Sequence, residues 1–237
     1  MASSVPLPEL PGAPEGLEGE DADLSVSRGD GPAPAVQHED WIHHWVGDHQ
    51  ETTLSLAEIG QGFLLRVPGL ADFLLSPGGR RVTAYPEPHT DPLTLRHLLL
   101  DQLLPRVLAH RGELVMHAAG VELEGRAALF LAETGRGKST LAAGLAAAGV
   151  PLLTDDGVLV QPGPAEVRVQ ALYPGLRLWP DSAAQVALEE ASTTPMAGYS
   201  EKGRVEGDVR FQADPLELAA VFVLEPRSPE DSDPAVT

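Results

Sequence analysis

The residues best suited to chemistry are Gly135, Arg136, Gly137, Lys138, Ser139 and Thr140, which close the run Ala132-Glu-Thr-Gly-Arg-Gly-Lys-Ser-Thr140. The run matches the phosphate-loop pattern G-x-x-x-x-G-K-[ST], with Ala132 in place of the first glycine. Such a loop wraps a phosphate in successive backbone N–H groups, so side chains must stay clear, hence Gly135 and Gly137. Lys138 would reach the β- and γ-phosphates of a nucleotide, and the Ser139 hydroxyl would bind Mg²⁺. One methyl at Ala132 costs little unless that residue needs a positive φ. The plain alternative is a glycine turn ahead of a helix. The context argues against it: an apolar strand before, a helix after, and a second strand ending in two acids.

Those acids are Asp155 and Asp156, the first of them 17 residues beyond Lys138. A helix of about 10 residues and a strand of about 5 fill the interval, which sets the pair at a strand's carboxyl end, the ligand edge of open α/β sheets. One carboxylate can hold or orient Mg²⁺ and the other can take a proton from an attacking hydroxyl. Asp155 is the candidate base, and Asp156 the candidate for the metal or for orienting the loop. A one-residue error in the strand end exchanges the two roles, because adjacent strand residues face opposite sides. The bland alternative is a surface Asp-Asp turn. His117 sits among Val115, Met116, Ala118 and Ala119. A lone His in such a strand is usually a satisfied core residue, so on spacing alone a functional role for His117 is the less favoured of two readings.

The elements that must position these groups follow from periodicity and turn chemistry. Leu114–Leu123 and Ala127–Leu131 read as strands around a Glu124-Gly125 turn, the second apolar enough to be buried on both faces. A helix over Thr140–Ala148 ends at Gly149, and Val150–Thr154 is the next strand, which together predict a parallel βαβ unit. Gly157–Val160, Val167–Leu172 and Leu216–Leu224 are later strands. Upstream, Asp91-Pro92 opens a helix as N-cap and first-turn proline; Pro105 should kink it and Gly112 end it. Strands at 62–67, 71–75 and 81–85, separated by Pro and Gly, predict an antiparallel meander. His38, His43, His44 and His49 have no ligand-frame spacing. Trp41 and Trp45, at i and i+4, predict one helical turn instead.

Composition bounds the rest. The chain has 237 residues, 43% apolar, no Cys, and a formal net charge of -19. The absence of Cys excludes disulfides, thiolate metal sites and a cysteine nucleophile, and fits a cytoplasmic protein. The acidity excludes a general nucleic-acid binder, and no stretch is long and apolar enough for a membrane span or a secretory signal. Residues 1–40 carry nine carboxylates against Arg28 alone and, like 225–237, are rich in Pro, Gly and Ser. Both ends are therefore expected to be disordered tails. Between them we expect a small β-subdomain over 41–90 and a larger domain over 91–224. Lysine occurs only at 138 and 202 against 14 arginines, which hints that an ammonium is needed at 138. Lys202 and Arg204 read equally as a phosphate or substrate clamp and as solvated loop charges.

The run Met116–Thr140, continuing to Leu153-Thr-Asp-Asp156, resembles the catalytic domain of HPr kinase/phosphorylase. It looks closest to the shorter HPr-kinase-like proteins, some of which accompany lasso-peptide biosynthesis. The shared features are a His before a hairpin, the loop, a short helix and the Asp pair, over residues 115–160. The resemblance implies an α/β P-loop nucleotide-binding domain of the HPr kinase/carboxykinase-like type. It also implies ATP- and Mg²⁺-dependent phosphorylation of a serine on a small protein or peptide, with His117, Lys138, Ser139, Asp155 and Asp156 in the active site. Two features depart from it. The stretch Tyr173–Pro180 lacks the family's Glu-containing signature, which puts dephosphorylation in question. The sequence also stops soon after Leu224, where homologues continue. A nucleotide-binding regulatory module with little transfer is the alternative, favoured by Ala132 and the short C-terminus; a simple ATPase is a third reading. The acceptor's identity and the oligomeric state are not legible.

Overall fold

The computed structural model describes residues 2–5, 7, 23–47, 49–186, 192–207 and 209–225. The described residues form a mixed α/β structure with two seven-stranded sheets and a three-stranded one. The chain divides into two compact units, Met1–Val115 with Thr194–Gly203, and Met116–Thr193 with Arg204–Thr237.

The first unit is a sheet with a helical segment. Its strands are β1 (Ala2–Ser3), β2 (Ser25–Arg28), β3 (Trp41–Val46), β4 (Thr52–Ile59), β5 (Gly62–Val67), β6 (Ala71–Leu75) and β7 (Arg81–Pro86), in the order β1-β2-β7-β6-β5-β4-β3. β3 to β7 form the antiparallel meander read from the turns. Two expectations fail here. Trp41–Val46 is a strand paired with β4, not a helical turn: the β-branched and aromatic side chains of Trp-Ile-His-His-Trp-Val suit a pleated surface, and pairing overrides the i, i+4 coincidence. Residues 23–40 are not a disordered tail. Leu24 and Val26 are buried, β2 runs parallel to β7, and Arg111 donates to the Asp23 carbonyl. Most of residues 1–22, and 226–237, lie outside the described residues.

The helical segment Pro92–His110 also belongs to this unit rather than to a domain beginning at 91. Asp91 caps α1 (Pro92–His97), accepting from Leu93 N at 2.9 Å and Thr94 N at 3.0 Å. Pro105 lacks an N–H and its ring would collide with a carbonyl one turn back. The helix absorbs this by widening to a π-helical stretch over Leu98–Leu103 before α2 (Leu104–His110).

The second unit holds the candidate site. Its sheet contains β8 (Leu114–His117), β9 (Ala119–Leu123), β10 (Arg126–Leu131), β11 (Leu152–Thr154), β12 (Gly157–Pro162), β13 (Val167–Ala171) and β17 (Leu216–Val223), while β14 (Arg177–Leu178), β15 (Ser192–Ala197) and β16 (Ser200–Glu206) make up the three-stranded sheet. The order is β11-β9-β10-β17-β13-β12-β8. β10 is buried on both faces: Ala128 and Phe130 join one apolar cluster, and Ala127 and Leu129 the other. Helix α3 (Lys138–Ala147) packs its small Ala142 and Ala143 into the first cluster, against Ala119 and Val121. A short helix α4 (Pro180–Gln185) follows β14.

The βαβ expectation needs one change. β10 and β11 run parallel but are not neighbours; β9 lies between them, antiparallel to both. The strand read over Leu114–Leu123 is likewise broken at Ala118, whose N–H leaves the ladder and donates to the Asp156 carbonyl at 2.9 Å. The hairpin joining β9 to β10 turns on Glu124 and Gly125, both at positive φ, the geometry that matches strand twist.

Candidate functional site

Register brings three sequence landmarks to one sheet edge. Ala119, at the start of β9, faces Phe130 near the end of β10, and Gly120 faces Thr154, the last residue of β11. Residues 132–137, His117-Ala118 and Asp155-Asp156 therefore all extend from the same edge. β10 and β11 are two strand spacings apart there, roughly 10 Å.

The loop after β10 is shaped by glycine conformation. Gly135 and Gly137 have φ of +81° and +86°, and no atom stands within 4 Å of where a Cβ would be. Backbone conformation, not crowding, is what requires glycine there. Gly137 caps α3. Lys138 is buried, and its Nζ donates to the carbonyls of Ala132 at 2.8 Å and Glu133 at 3.3 Å. Arg136 is exposed and pairs with Glu133 at 3.2 Å. Ser139 is half-buried, and the Thr140 hydroxyl donates to Ser182 Oγ at 3.0 Å.

The two acids have different surroundings. The Asp155 side chain is 2% exposed. Its Oδ2 accepts from the Arg177 backbone N–H at 2.9 Å, and the Arg177 guanidinium lies 3.7 Å from Oδ1. The Asp156 side chain is 22% exposed and faces three donors: His117 Nδ1 at 3.0 Å, Arg177 Nη2 at 3.1 Å and the Tyr173 hydroxyl at 3.1 Å. Burial pushes the Asp156 carboxyl up, but the His117 hydrogen bond, the Arg177 charge and the Tyr173 hydroxyl outweigh it. The carboxyl is held well below the usual carboxylate range. Arg177 also donates to the Tyr173 hydroxyl at 2.5 Å and lies over its ring at 5.5 Å.

Strand alternation correctly leaves one acid inside and one accessible, but Asp155, read as the base, is the inner one. His117 is not a core residue: its side chain is 56% exposed and its ring is aimed by Asp156. Sequence reasoning assigns no role to Tyr173 or Arg177 within the stretch Tyr173–Pro180. No local signal marks Arg177, because alternation along an extended stretch turns it to the face opposite the buried Leu176 and Leu178. Lys202 and Arg204 lie on β16, both half-buried.

No protein-family model matches the chain and no curated protein matches it. Eighteen solved chains match. One is the HPr(Ser) kinase/phosphatase from Coxiella burnetii, at 16% identity over 51% of this chain and 71% of that one, with a TM-score of 0.32. A likeness at that score carries no argument about activity.

Proposed function

We propose that the chain binds Mg·ATP at residues 135–140 and passes the terminal phosphoryl group to a serine hydroxyl. The acceptor is a small protein or peptide, of the HPr-like carrier or lasso-precursor type that the sequence resemblance implies. The observation that carries this reading is the shared edge, where a glycine-shaped loop with a lysine and a His–Asp pair leave neighbouring strand ends.

The residues suit a magnesium nucleotide. The α3 N-terminus offers backbone N–H groups behind two glycines with open space, Lys138 supplies a cation and Ser139 a hard oxygen. Mg²⁺ commonly takes one or two protein oxygens and fills its sphere with phosphate and water, so it needs no larger cage; among the described residues there is no cluster of three His or acidic groups. Bound there, Mg·ATP supplies the γ-phosphoryl group and neutralises charge on its oxygens. Both Asp156 oxygens already accept hydrogen bonds, so Ser139 alone is retained as a direct metal ligand.

In this reading Lys138 swings from the Ala132 and Glu133 carbonyls to the phosphates. His117 donates from Nδ1 to Asp156, which leaves Nε2 as the acceptor nitrogen of the neutral ring. The serine proton passes to Nε2, and Asp156 stabilises the imidazolium formed. A carboxylate held as low as Asp156 retains a proton poorly, which favours the ring as acceptor. Asp155 takes a positioning role through Arg177.

Calorimetry with Mg·ATP on wild type and Lys138→Ala tests the loop: affinity should fall sharply in the variant, and equal affinity ends the nucleotide reading. Transfer from radiolabelled ATP to a serine peptide or an HPr-like carrier tests the chemistry. Tight binding with no transfer to either would favour the regulatory module, a reading supported by the three donors that saturate Asp156.

A further inference from the structure

A second feature lies in the first unit. The meander and the helical segment frame a half-open cavity of about 310 Å³. Leu56, Phe63, Leu65 and Leu75 line it from the strands, and Leu103 and Val107 from the helical side. Trp45, Arg106, Ala109 and His110 complete the lining. The volume is at the lower end of the roughly 300–1,000 Å³ typical of small-molecule sites.

Among the described residues that line the cavity, Arg106 is the one permanently charged group. It is half-buried, and Nη1 donates to the Gln102 carbonyl at 2.6 Å and to Gln102 Oε1 at 3.3 Å. The guanidinium lies over the Trp45 ring at 5.2 Å. Among the described residues no carboxylate pairs with it. Burial lowers its pKa with no acidic neighbour to offset the effect. A cation partly withdrawn from water is normally matched by an anion, and no carboxylate among the described residues does so here, although the chain as a whole has a large acidic excess. His110 is less available, since Nε2 is bonded to the Pro77 carbonyl at 3.0 Å and the ring packs edge-on to Phe63.

From the apolar wall and a cation that no described carboxylate pairs with we propose that this cavity binds a medium-chain fatty carboxylate, with the chain among the leucines and the carboxylate on Arg106. A site of this size, at the lower end of those that hold small molecules, suits a medium-length chain, for which decanoate is the probe. Apolar contact supplies most of the attraction, and the guanidinium selects an anionic head group over a neutral one.

The test uses the full chain and submicellar decanoate, decanol and buffer, read by tryptophan emission and calorimetry, with Trp45→Phe assigning the signal. One saturable decanoate site is expected, with decanol about tenfold weaker, as befits one lost charge-assisted contact. Arg106→Met, which keeps an apolar stem, should bring the two ligands to equal affinity. Ala109→Trp, at an exposed helix position on the wall, should weaken both. The comparison of decanoate with decanol on wild type needs no variant to fold. Absence of saturation, equal affinities on wild type, or a preference that survives Arg106→Met would each overturn the proposal.

Discussion

Each unit of this chain sets an arginine against an aspartate and an aromatic ring, and the two pairs differ mainly in burial. In the first unit Arg66 on β5 faces Asp72 on β6 directly across the ladder. It makes a bidentate contact at 2.8 and 2.7 Å and lies over Trp41 at 5.1 Å. Its side chain is 37% exposed. In the second unit the Arg177 side chain is 6% exposed and serves Asp155, Asp156 and Tyr173 at once. The first pair sits on a sheet whose register the hydrophobic pattern already sets. The second gathers segments far apart in sequence into one position beside His117. The same chemical pairing is decoration in one place and scaffold in the other, and removing its members should show this.

The largest effect is expected from Arg177→Met. It leaves Asp155 as a buried carboxylate without its guanidinium and removes a partner of Asp156. Breaking a buried pair from one side costs about 3–5 kcal/mol. Urea unfolding should report a loss of that order, and a loss under about 1 kcal/mol would put Arg177 in the same class as Arg66.

Next come the two acids. Asp156→Asn and His117→Ala should each cut phosphoryl transfer by about 10²- to 10⁴-fold with Mg·ATP affinity kept, as for a lost base and its orienting partner. The double variant should be little worse than either alone, because the pair acts as a unit. Asp155→Asn should act mainly on the melting temperature. Full transfer in Asp156→Asn with loss in Asp155→Asn would return the base role to Asp155, as spacing first suggested.

The pH dependence sharpens the same contrast. The folded-state pKa of Asp156 lies below the ~3.9 of an unfolded aspartate. Its contribution to stability is therefore full above about pH 5 and is lost as pH falls through the folded value. The stability gap between wild type and Asp156→Asn should shrink between pH 7 and pH 3. A gap that widens on acidification would mean that the carboxylate is not stabilised by His117 and Arg177.

How much of this was legible depended on how local the cause is. The Asp91 cap, the meander turns, the strand β10 buried on both faces and the loop from 132 to 140 are written in adjacent residues. β2 was hidden because charge averaged over forty residues outweighs a four-residue Ser-Val-Ser-Arg alternation that only β7 stabilises. The antiparallel strand between β10 and β11 is a property of pairing, which no local pattern encodes. Arg177 meets Asp155 and Asp156 across about twenty intervening residues, several of them irregular, so only the tertiary fold reveals the contact. Which acid points outward turned on a single residue at a strand end, the place where sequence reading is weakest.

The smallest effect is expected from the surface pair, and it tests the other half of the comparison. Asp72 hydrogen bonds hold the Arg66 pKa above its ordinary value, yet the guanidinium is more than a third exposed, so water and salt screen most of that attraction. A cross-strand charge pair contributes about 0.2–1 kcal/mol, and the bidentate geometry places Arg66–Asp72 toward the upper end. A double-mutant cycle with Arg66→Ala and Asp72→Ala should give a coupling in that range at low salt, falling when ionic strength is raised to about 1 M, where the screening length is near 3 Å. Stacking of Arg66 on Trp41 lies outside the cycle's coupling term, because it is lost in the Arg66 variants alone. A coupling above about 2 kcal/mol that is insensitive to salt would show that exposure does not separate the two arginines.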